Sequence, residues 1–188
     1  MSAPALTRDE ILERIVATFR RHGYEGASLA LLSEATGLGR SSLYHYFPNG
    51  KVDMADAALE WVLTCFDAMV LAPLRQSSLP PQKRLQACAR GLSEFYADGA
   101  RTCLINIFSI GSAGVLFQAR LGECTKAVIR IFADIAQESG ISAREAQRRG
   151  ENVLIDIQGA LVVSRTIGSN APFLRLIEEF PEQLLRPE

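Results

Sequence analysis

Apolar positions recur along most of the chain with the three-to-four-residue spacing of amphipathic helices. The first such stripe is framed by Thr7 and Glu10, which occupy the N-cap and N3 positions of a capping box. Gly23 then supplies a left-handed stop. The pattern predicts a first helix over about residues 8–22, and its inward stripe consists of Ile11, Ile15 and Phe19.

Two short helices joined by a tight turn are predicted next. Ser28 can cap a helix that ends at Gly37, and residues 38–39 alone separate it from a segment that begins at Arg40 and stops before Pro48. Two helices with so short a connection are typical of a helix-turn-helix, in which the second helix reads the edges of DNA bases.

The candidate recognition helix has a polar and aromatic outer face. Leu43 and Phe47 lie four residues apart and can pack inward on the first two helices. A guanidinium can bind guanine or a phosphate, and hydroxyl and imidazole groups can bind phosphate oxygens. The alternative, on this helix alone, is a solvated face without function. The residues on the face are Arg40, Ser41, Tyr44 and His45.

The rest of the chain predicts six further helices and no strand, because alternating runs bounded by turn dipeptides are absent. A second capping box is expected at Ser142 and Glu145. The fold class is therefore all-α, with a helix-turn-helix domain over residues 1–50 and a larger helical domain over residues 51–188. The predicted helices cover about residues 51–71, 81–99, 103–110, 116–138 and 142–167, with a last one starting at Pro172.

The helix predicted over residues 142–167 is apolar on more than one face in its second half. One core contact uses only one such face, so the other is expected at a subunit interface. Gly159 and Ala160 would allow two helices to approach closely. The residues expected at this interface are Ile155, Gly159, Val162 and Val163, with Phe173 and Ile177 from the last helix.

The charge balance is unusual for a nucleic-acid binder. The net charge of the 188 residues is −1, and residues 1–60 contain six Lys or Arg against eight Asp or Glu. Basic groups occur only in local clusters, such as the run Arg20, Arg21 and His22. We therefore expect weak non-specific affinity, with specificity carried by few contacts. The competing hypothesis is a helical ligand-binding or protein-interaction module that no longer reads DNA.

Catalytic, metal-binding and redox chemistry have few candidates in this chain. It has only two histidines, and it lacks a nucleophile beside a base, a phosphate loop or a metal cluster, so neither an enzyme nor a cofactor is expected. A redox sensor would need an exposed, acidified thiol. The four cysteines are widely spaced and expected to be reduced: Cys65, Cys88, Cys103 and Cys124.

A cytoplasmic location is expected. Residues 1–5 lack the basic start and apolar core of a secretory signal. Every apolar run is interrupted by charge or glycine before the length of about 18 residues that a membrane span needs.

The order of these parts resembles the TetR family of bacterial one-component regulators. The resemblance covers residues 8–60: the capped helix, the Gly-Tyr-x-Gly connection at 23–26, the motif at 36–48 and the long helix after it. It implies an N-terminal DNA-binding domain, a C-terminal ligand-binding domain and a homodimer formed by the last two long helices. It also implies repression of a double-stranded DNA operator, relieved by a small-molecule inducer. Residues 102–105 resemble the LmrA/YxaF-type branch of the family.

The same resemblance implies roles for individual residues. The spacing from Phe47 to Lys51 is one residue longer than is usual in the family. By motif position, the DNA contacts are Ser28, Arg40, Ser41, Tyr44, His45, Tyr46 and Lys51. An apolar ligand cavity is expected, for which ordinary core packing is the alternative at every position. Its candidate residues are Trp61, Phe66, Tyr96, Phe108, Phe117 and Phe132, with Asn106 or Gln158 as orienting polar groups.

Overall fold

The computed structural model describes residues 6–187, and over that range it is helical, with no β-strand. This confirms the all-α prediction, whereas the interpretation of residues 1–5 lies outside the described part of the chain. The nine α-helices within it are α1 (Arg8–Gly26), α2 (Leu29–Thr36), α3 (Arg40–Tyr46), α4 (Lys51–Phe66), α5 (Pro81–Phe95), α6 (Leu104–Phe108), α7 (Gly111–Glu138), α8 (Ala143–Ile167) and α9 (Ala171–Leu185).

The chain divides into two compact units. Unit 1 contains the described residues up to Thr64 together with Leu104–Gln118, and unit 2 contains Cys65–Cys103 and the described residues from Ala119 onward. The segment Leu104–Gln118 thus packs with the N-terminal helices, although it follows them by 40 residues or more in the chain. The functional division into residues 1–50 and 51–188 remains a prediction.

Helix α1 begins where its sequence predicts and is interrupted at the predicted stop, but it runs on to Gly26. The Glu10 amide donates to Thr7 Oγ1 at 3.3 Å, and the Thr7 amide donates to Glu10 Oε2 at 2.7 Å, which completes the capping box. At the other end Gly23 has φ +69°, a left-handed conformation that interrupts the regular helix. Ile15 and Phe19 are fully buried between these two ends.

An aromatic cluster forms part of the core of unit 1. The Phe108 ring stacks on Phe117 with centroids 5.4 Å apart, and it meets Phe19 edge-on at 5.2 Å. Tyr24 contacts the same group, with its centroid 5.8 Å from that of Phe108. The cluster attaches α6 and the start of α7 to α1.

The long helix predicted to reach residue 71 changes geometry before it ends. Regular α-helix stops at Phe66, a π-helical turn covers Asp67–Leu71, and a 3₁₀ turn covers Ala72–Arg75. Helix α5 lies very close to this turn, since a Cβ atom built on Gly91 would be 2.0 Å from the Met69 carbonyl oxygen. Only glycine allows that approach of two backbones.

The stretch Lys51–Arg75 has the length and apolar composition to cross a membrane, with a hydropathy of 1.5 over its most apolar window. It also carries residues of the protein core, because Met54 and Leu59 have 1% and 0% of their surface exposed. The inner face of a core helix gives the same composition.

The predicted capping box at the start of α8 is wrong. Ser142 is the N-cap residue, but its side chain makes no capping hydrogen bond. The Glu145 carboxylate instead bonds Arg148 at 2.6 Å and Arg149 at 2.8 Å. These two guanidinium groups lower the pKa of Glu145 to about 2. Two charged donors on the following turn outcompete one backbone amide for the same carboxylate.

Candidate nucleic-acid interface

The turn between α2 and α3 is held by side chains as well as by its backbone. Gly37 adopts φ +69°, which allows the sharp reversal after Thr36. The Thr36 hydroxyl donates to the Leu32 carbonyl at 2.7 Å and accepts from the Leu38 amide at 3.3 Å. Ser33 Oγ donates to the Leu38 carbonyl at 2.6 Å. These bonds fix the direction in which α3 leaves the turn, and the sequence reasoning had assigned no role to Ser33.

Helix α3 turns its apolar residues inward, as predicted. Leu43 and Phe47 are 1% and 4% exposed and anchor the helix in unit 1. Tyr44 and Tyr46, by contrast, are 43% and 49% exposed. Tyrosine is enriched at interfaces, because its ring is apolar and its hydroxyl can bind water or a polar partner. The remaining residues of the predicted outer face are also exposed: Arg40, Ser41 and His45.

The exposed rings of α3 have defined neighbours. A Cβ atom built on Gly50 would lie 3.5 Å from Tyr44 Cε1, so the Tyr44 ring rests beside the backbone that precedes α4. The rings of His45 and Tyr46 meet edge-on with centroids 5.6 Å apart. Contacts of this kind restrict side-chain freedom before a partner binds, which lowers the entropic cost of binding.

Ser28 caps the start of α2. Its hydroxyl oxygen accepts the Leu31 amide at 3.2 Å, and a serine hydroxyl also carries a proton that it can donate. The first amides of a helix carry partial positive charge and attract phosphate oxygens. This end of α2 therefore suits a phosphate.

Lys51 lies at the start of α4 and points back into unit 1. Its ammonium donates to the Tyr24 carbonyl at 3.0 Å and sits 4.5 Å from the centroid of the Tyr24 ring. Two residues before Lys51, the Asn49 amide donates to the Asp53 carboxylate at 2.8 Å. Because the ammonium already has a carbonyl and a ring as partners, Lys51 is the member of the predicted set that is least prepared to bind a phosphate.

The predicted ligand-binding residues are divided between the two units. Phe108 and Phe117 belong to the aromatic cluster of unit 1. Trp61 and Asn106 lie in the same unit, and both are half-buried. In unit 2, Phe132 meets Phe180 edge-on with centroids 6.2 Å apart.

Three of the predicted ligand residues lie near one another in unit 2. Phe66 and Tyr96 both contact the Phe95 ring, at centroid distances of 5.1 and 4.9 Å. The Tyr96 hydroxyl and the Gln158 amide group both donate to Cys103 Sγ, at 3.5 and 3.4 Å. Sequence spacing gave no indication that Cys103 would join them, since it is 55 residues from Gln158.

A second buried thiol, Cys88, is suited only to packing. Burial raises its pKa far above the ordinary value for a cysteine. It has none of its surface exposed. A thiol in such surroundings is inert, since the reactive form is the thiolate.

Helices α8 and α9 leave an apolar face in solvent. Ile155, Val162 and Val163 are 65%, 39% and 46% exposed, and Gly159 has no atom of another residue within reach of a Cβ. A groove of about 460 Å³ runs along this face between the two helices. Ile177 is half-buried at its side.

Phe173 is a correction to the predicted interface. It has 0% of its surface exposed, and its ring lies against Gly99, where an added Cβ would be 2.7 Å from Phe173 Cβ. Its amide donates to Ser164 Oγ at 3.2 Å. The periodicity of α9 marked Phe173 as apolar but did not show that it faces the core of its own chain.

Comparison with known proteins identifies the family. The family model for bacterial regulatory proteins of the tetR family matches residues 11–58. Over 185 residues the chain is 24% identical to the uncharacterised HTH-type transcriptional regulator YxaF of Bacillus subtilis, which covers 96% of both chains. It is 23% identical over the same length to the HTH-type transcriptional regulator LmrA of that organism, and this match covers 96% of this chain and 97% of LmrA. These matches together support a regulator of the TetR family, and the family model itself covers residues 11–58.

Further TetR-family proteins resemble parts or the whole of the chain. The repressor AcnR of Corynebacterium glutamicum is 48% identical over 44 residues, which is 23% of each chain. A TetR regulator from Legionella pneumophila has the same fold, with a TM-score of 0.80 at 20% identity over 97% of this chain and 98% of its own. The structure of a CifR cysteine mutant in complex with 26-base-pair operator DNA gives a TM-score of 0.74 at 22% identity, and the match covers 96% of this chain and 98% of CifR.

The TetR-family relatives support a role as a DNA-binding transcriptional regulator. The α2–α3 pair is its helix-turn-helix, since both helices lie inside the segment that the family model matches. In the described part of the chain, no group of three or more His, Cys, Asp or Glu side chains could hold a metal ion.

Proposed function

We propose that this TetR-family regulator is a repressor that binds a palindromic operator as a homodimer and is released by a small-molecule inducer. The observation that carries the proposal is the exposed face of α3, where Tyr44 and Tyr46 are nearly half exposed while Leu43 anchors the helix from the other side. The repressor AcnR and the operator-bound CifR are relatives in which repression and operator binding are named.

Each residue of the face has a chemical role in this proposal. Arg40 and Ser41, in the first turn of α3, contact base edges or the adjacent phosphates. Tyr44 and Tyr46 donate their hydroxyls to phosphates, and His45 contacts either a base or a phosphate. Ser28 donates its hydroxyl proton to a phosphate at the start of α2. Lys51 joins them only if it leaves the Tyr24 carbonyl.

The exposed apolar face of α8 and α9 would form the dimer. Two copies related by a two-fold axis would bury Ile155, Val162 and Val163 of each chain against one another. The dimer would place two copies of α3 in successive major grooves, about 34 Å apart, so the operator would be palindromic.

The inducer would bind in unit 2 near Phe66, Tyr96 and Gln158. The rings offer an apolar surface, and the Gln158 amide and the Tyr96 hydroxyl offer two polar groups. We therefore propose an apolar inducer with at least one hydrogen-bonding group. With operator DNA as its target, the protein would work in the cytoplasm, with residues 1–50 reading DNA and residues 51–188 binding ligand and partner.

Selection of genomic fragments by the purified protein tests the proposal. We expect enrichment of one palindrome whose half-sites lie about one helical turn apart. The double variant Arg40→Ala, Tyr44→Ala should enrich nothing while remaining folded by circular dichroism. A folded wild-type protein that enriches no palindrome, at low salt and in the absence of any added ligand, would overturn it.

A further inference from the structure

A groove between α1 and α2 gathers basic groups that the recognition helix does not use. It lies entirely within unit 1 and has a volume of about 480 Å³. Its lining includes Arg14, Arg21 and His22 from α1 and one carboxylate, Glu34, from α2. The two arginines outnumber the one carboxylate, which is the reverse of the balance over residues 1–60, where Asp and Glu outnumber Lys and Arg eight to six.

The basic groups of the groove are exposed and only partly engaged. Arg14 Nη1 donates to the Ala35 carbonyl at 3.3 Å, which holds its guanidinium at the C-terminal end of α2. Thr18, also in the lining, donates its hydroxyl to the Arg14 carbonyl at 2.8 Å and so stays within α1. Arg21 and His22 are exposed, and no ion pair found in the described part of the chain involves Arg21.

The lining of the groove includes Leu31, which lies in the first turn of α2 after its cap Ser28. Leu31 lines the groove, and its amide is the donor that Ser28 Oγ accepts. Residues 28, 31 and 35 repeat on one face of a helix, so Ser28 continues the same side of α2. On α1, a Cβ atom built on Gly26 would lie 3.5 Å from His22 Cβ, which brings His22 to the connection just before Ser28.

We infer that this groove binds the sugar-phosphate backbone of the operator beyond the contact at Ser28. Arg21 and His22 would bind the first phosphates past Ser28, and Arg14 the phosphates further along. Arg14 and Arg21 lie seven residues apart, which is about 10 Å of helix, so the groove is long enough to reach more than one phosphate of a strand. The inference rests on the proposed function, because it assigns a second part of the same DNA contact.

The groove also explains how an acidic domain can bind a polyanion. Affinity depends on the phosphates that are neutralised locally, so three basic groups in one groove count for more than the net charge of the domain. Glu34 opposes them from α2 and would repel the same phosphates. Removing a positive charge from the groove should therefore weaken DNA binding, and removing the negative charge of Glu34 should strengthen it.

The test is a salt titration of operator binding by the full-length protein. Arg21→Ala should weaken binding about 3- to 10-fold at about 0.1 M salt, and it should do so equally for operator and scrambled DNA. The slope of log K against log salt should fall by about two in a dimer, at about 0.9 per lost phosphate contact. Glu34→Gln should strengthen binding to both DNAs.

Two further variants control for charge and for folding. Arg21→Lys should keep the wild-type slope, because a lysine also neutralises one phosphate. Arg130→Ala removes the same charge from an exposed position of α7 that belongs to unit 2, and it should leave the affinity and the slope unchanged.

The possible failures can be told apart. Wild-type affinity and slope in the double variant Arg14→Ala, Arg21→Ala, with operator binding still weakened at least about 10-fold by Arg40→Ala, would overturn the groove contact and leave the proposed function standing. A loss in Arg21→Ala that is confined to operator DNA would also overturn it, because a phosphate contact carries no sequence information. Failure of the wild-type protein to prefer its selected operator would instead overturn the proposed function.

Discussion

The carboxylate of Glu25 accepts two hydrogen bonds from Ser112, one from the backbone amide at 2.7 Å and one from the hydroxyl at 2.8 Å. Glu25 lies near the end of α1, beyond the interruption at Gly23, and Ser112 is the second residue of α7. Amides in the first turn of a helix lack partners inside it, and a carboxylate placed there also meets the positive end of the helix dipole. The pair therefore links two parts of unit 1 that are 87 residues apart in the chain.

This pair makes the stability of the protein depend on pH. The hydrogen bonds from Ser112 lower the pKa of Glu25 below its ordinary value of 4.5. The stabilisation is complete above that ordinary value, and it is lost as the pH falls through the lower pKa of the folded state. We expect Glu25→Gln to melt at a lower temperature than the wild type at neutral pH, and the difference to close under acidic conditions.

Melting curves from neutral to acidic pH check this expectation. Ser112→Ala supplies the matched background, in which Glu25→Gln should have a smaller effect because the partner of the carboxylate is truncated. A melting difference that stays the same at every pH, or that is unchanged by Ser112→Ala, would contradict the role given to the pair.

Replacing a glycine by alanine should change the stability of the protein in opposite directions at two helical positions, Gly91 and Gly122. In Gly91→Ala the new methyl group would lie 2.0 Å from the Met69 carbonyl oxygen, so the backbone of the π-helical turn or of α5 must move. Overpacking typically costs about 1–3 kcal/mol, and we expect a loss at or above the upper end because the obstacle is backbone. Urea unfolding measures it.

Gly122→Ala is the matched comparison in α7. No atom lies within 4 Å of a Cβ built on Gly122. Alanine favours a helix interior over glycine by up to about 1 kcal/mol, so this variant should be slightly more stable than the wild type. Equal losses in Gly91→Ala and Gly122→Ala would show that the close approach at Met69 does not decide the outcome.

The helices of this protein could be predicted from its sequence because their signals are local. The capping box of Thr7 and Glu10, the stop at Gly23 and the inward pair Leu43 and Phe47 each involve residues within one or two turns. The same locality explains the recognition helix, whose exposed residues follow from the positions of its two buried ones. The order of these local motifs along the chain is what resembles the TetR family.

Long-range packing could not be predicted in the same way. The periodicity of α6 and α7 marks Phe108 and Phe117 as buried, but only the fold shows that they meet Phe19 in unit 1. Phe173 was placed at an interface because apolar spacing does not say which surface an apolar face meets. Cys103 became a neighbour of Gln158 only through the packing of unit 2.

Substitutions on α3 test the assignment of the recognition helix. Arg40 and Tyr44 are exposed, so alanine at either position should leave the melting temperature within experimental error. Each loses a contact that contributes about 1–3 kcal/mol to binding, and we expect operator affinity to fall at least 10-fold. Fluorescence anisotropy with labelled operator measures it. Lys51→Ala should have a smaller effect on affinity than either, since its ammonium is already held by Tyr24.

The exposed face of α8 predicts a variant that separates folding from assembly. Val163 is 46% exposed and lines the groove between α8 and α9, so Val163→Asp should not disturb the core of its own chain. In a dimer it would bury one carboxylate per chain beside its symmetry mate, a desolvation cost that a hydrophobic interface cannot offset. We expect sedimentation at micromolar concentration to show a dimer for the wild type and a monomer for Val163→Asp.

Loss of the dimer should also lower the affinity for the operator, because a monomer presents only one α3 to a palindrome. Leu79→Asp is the matched control: Leu79 is 40% exposed in the connection before α5, outside the groove, so the same kind of change there should leave a dimer that binds the operator. If Val163→Asp remained dimeric and kept wild-type affinity, the dimer would have to form through a different surface.

Urea unfolding at two protein concentrations adds an independent check. The midpoint should rise with concentration for the wild type and for Leu79→Asp, and it should be independent of concentration for the monomeric variant.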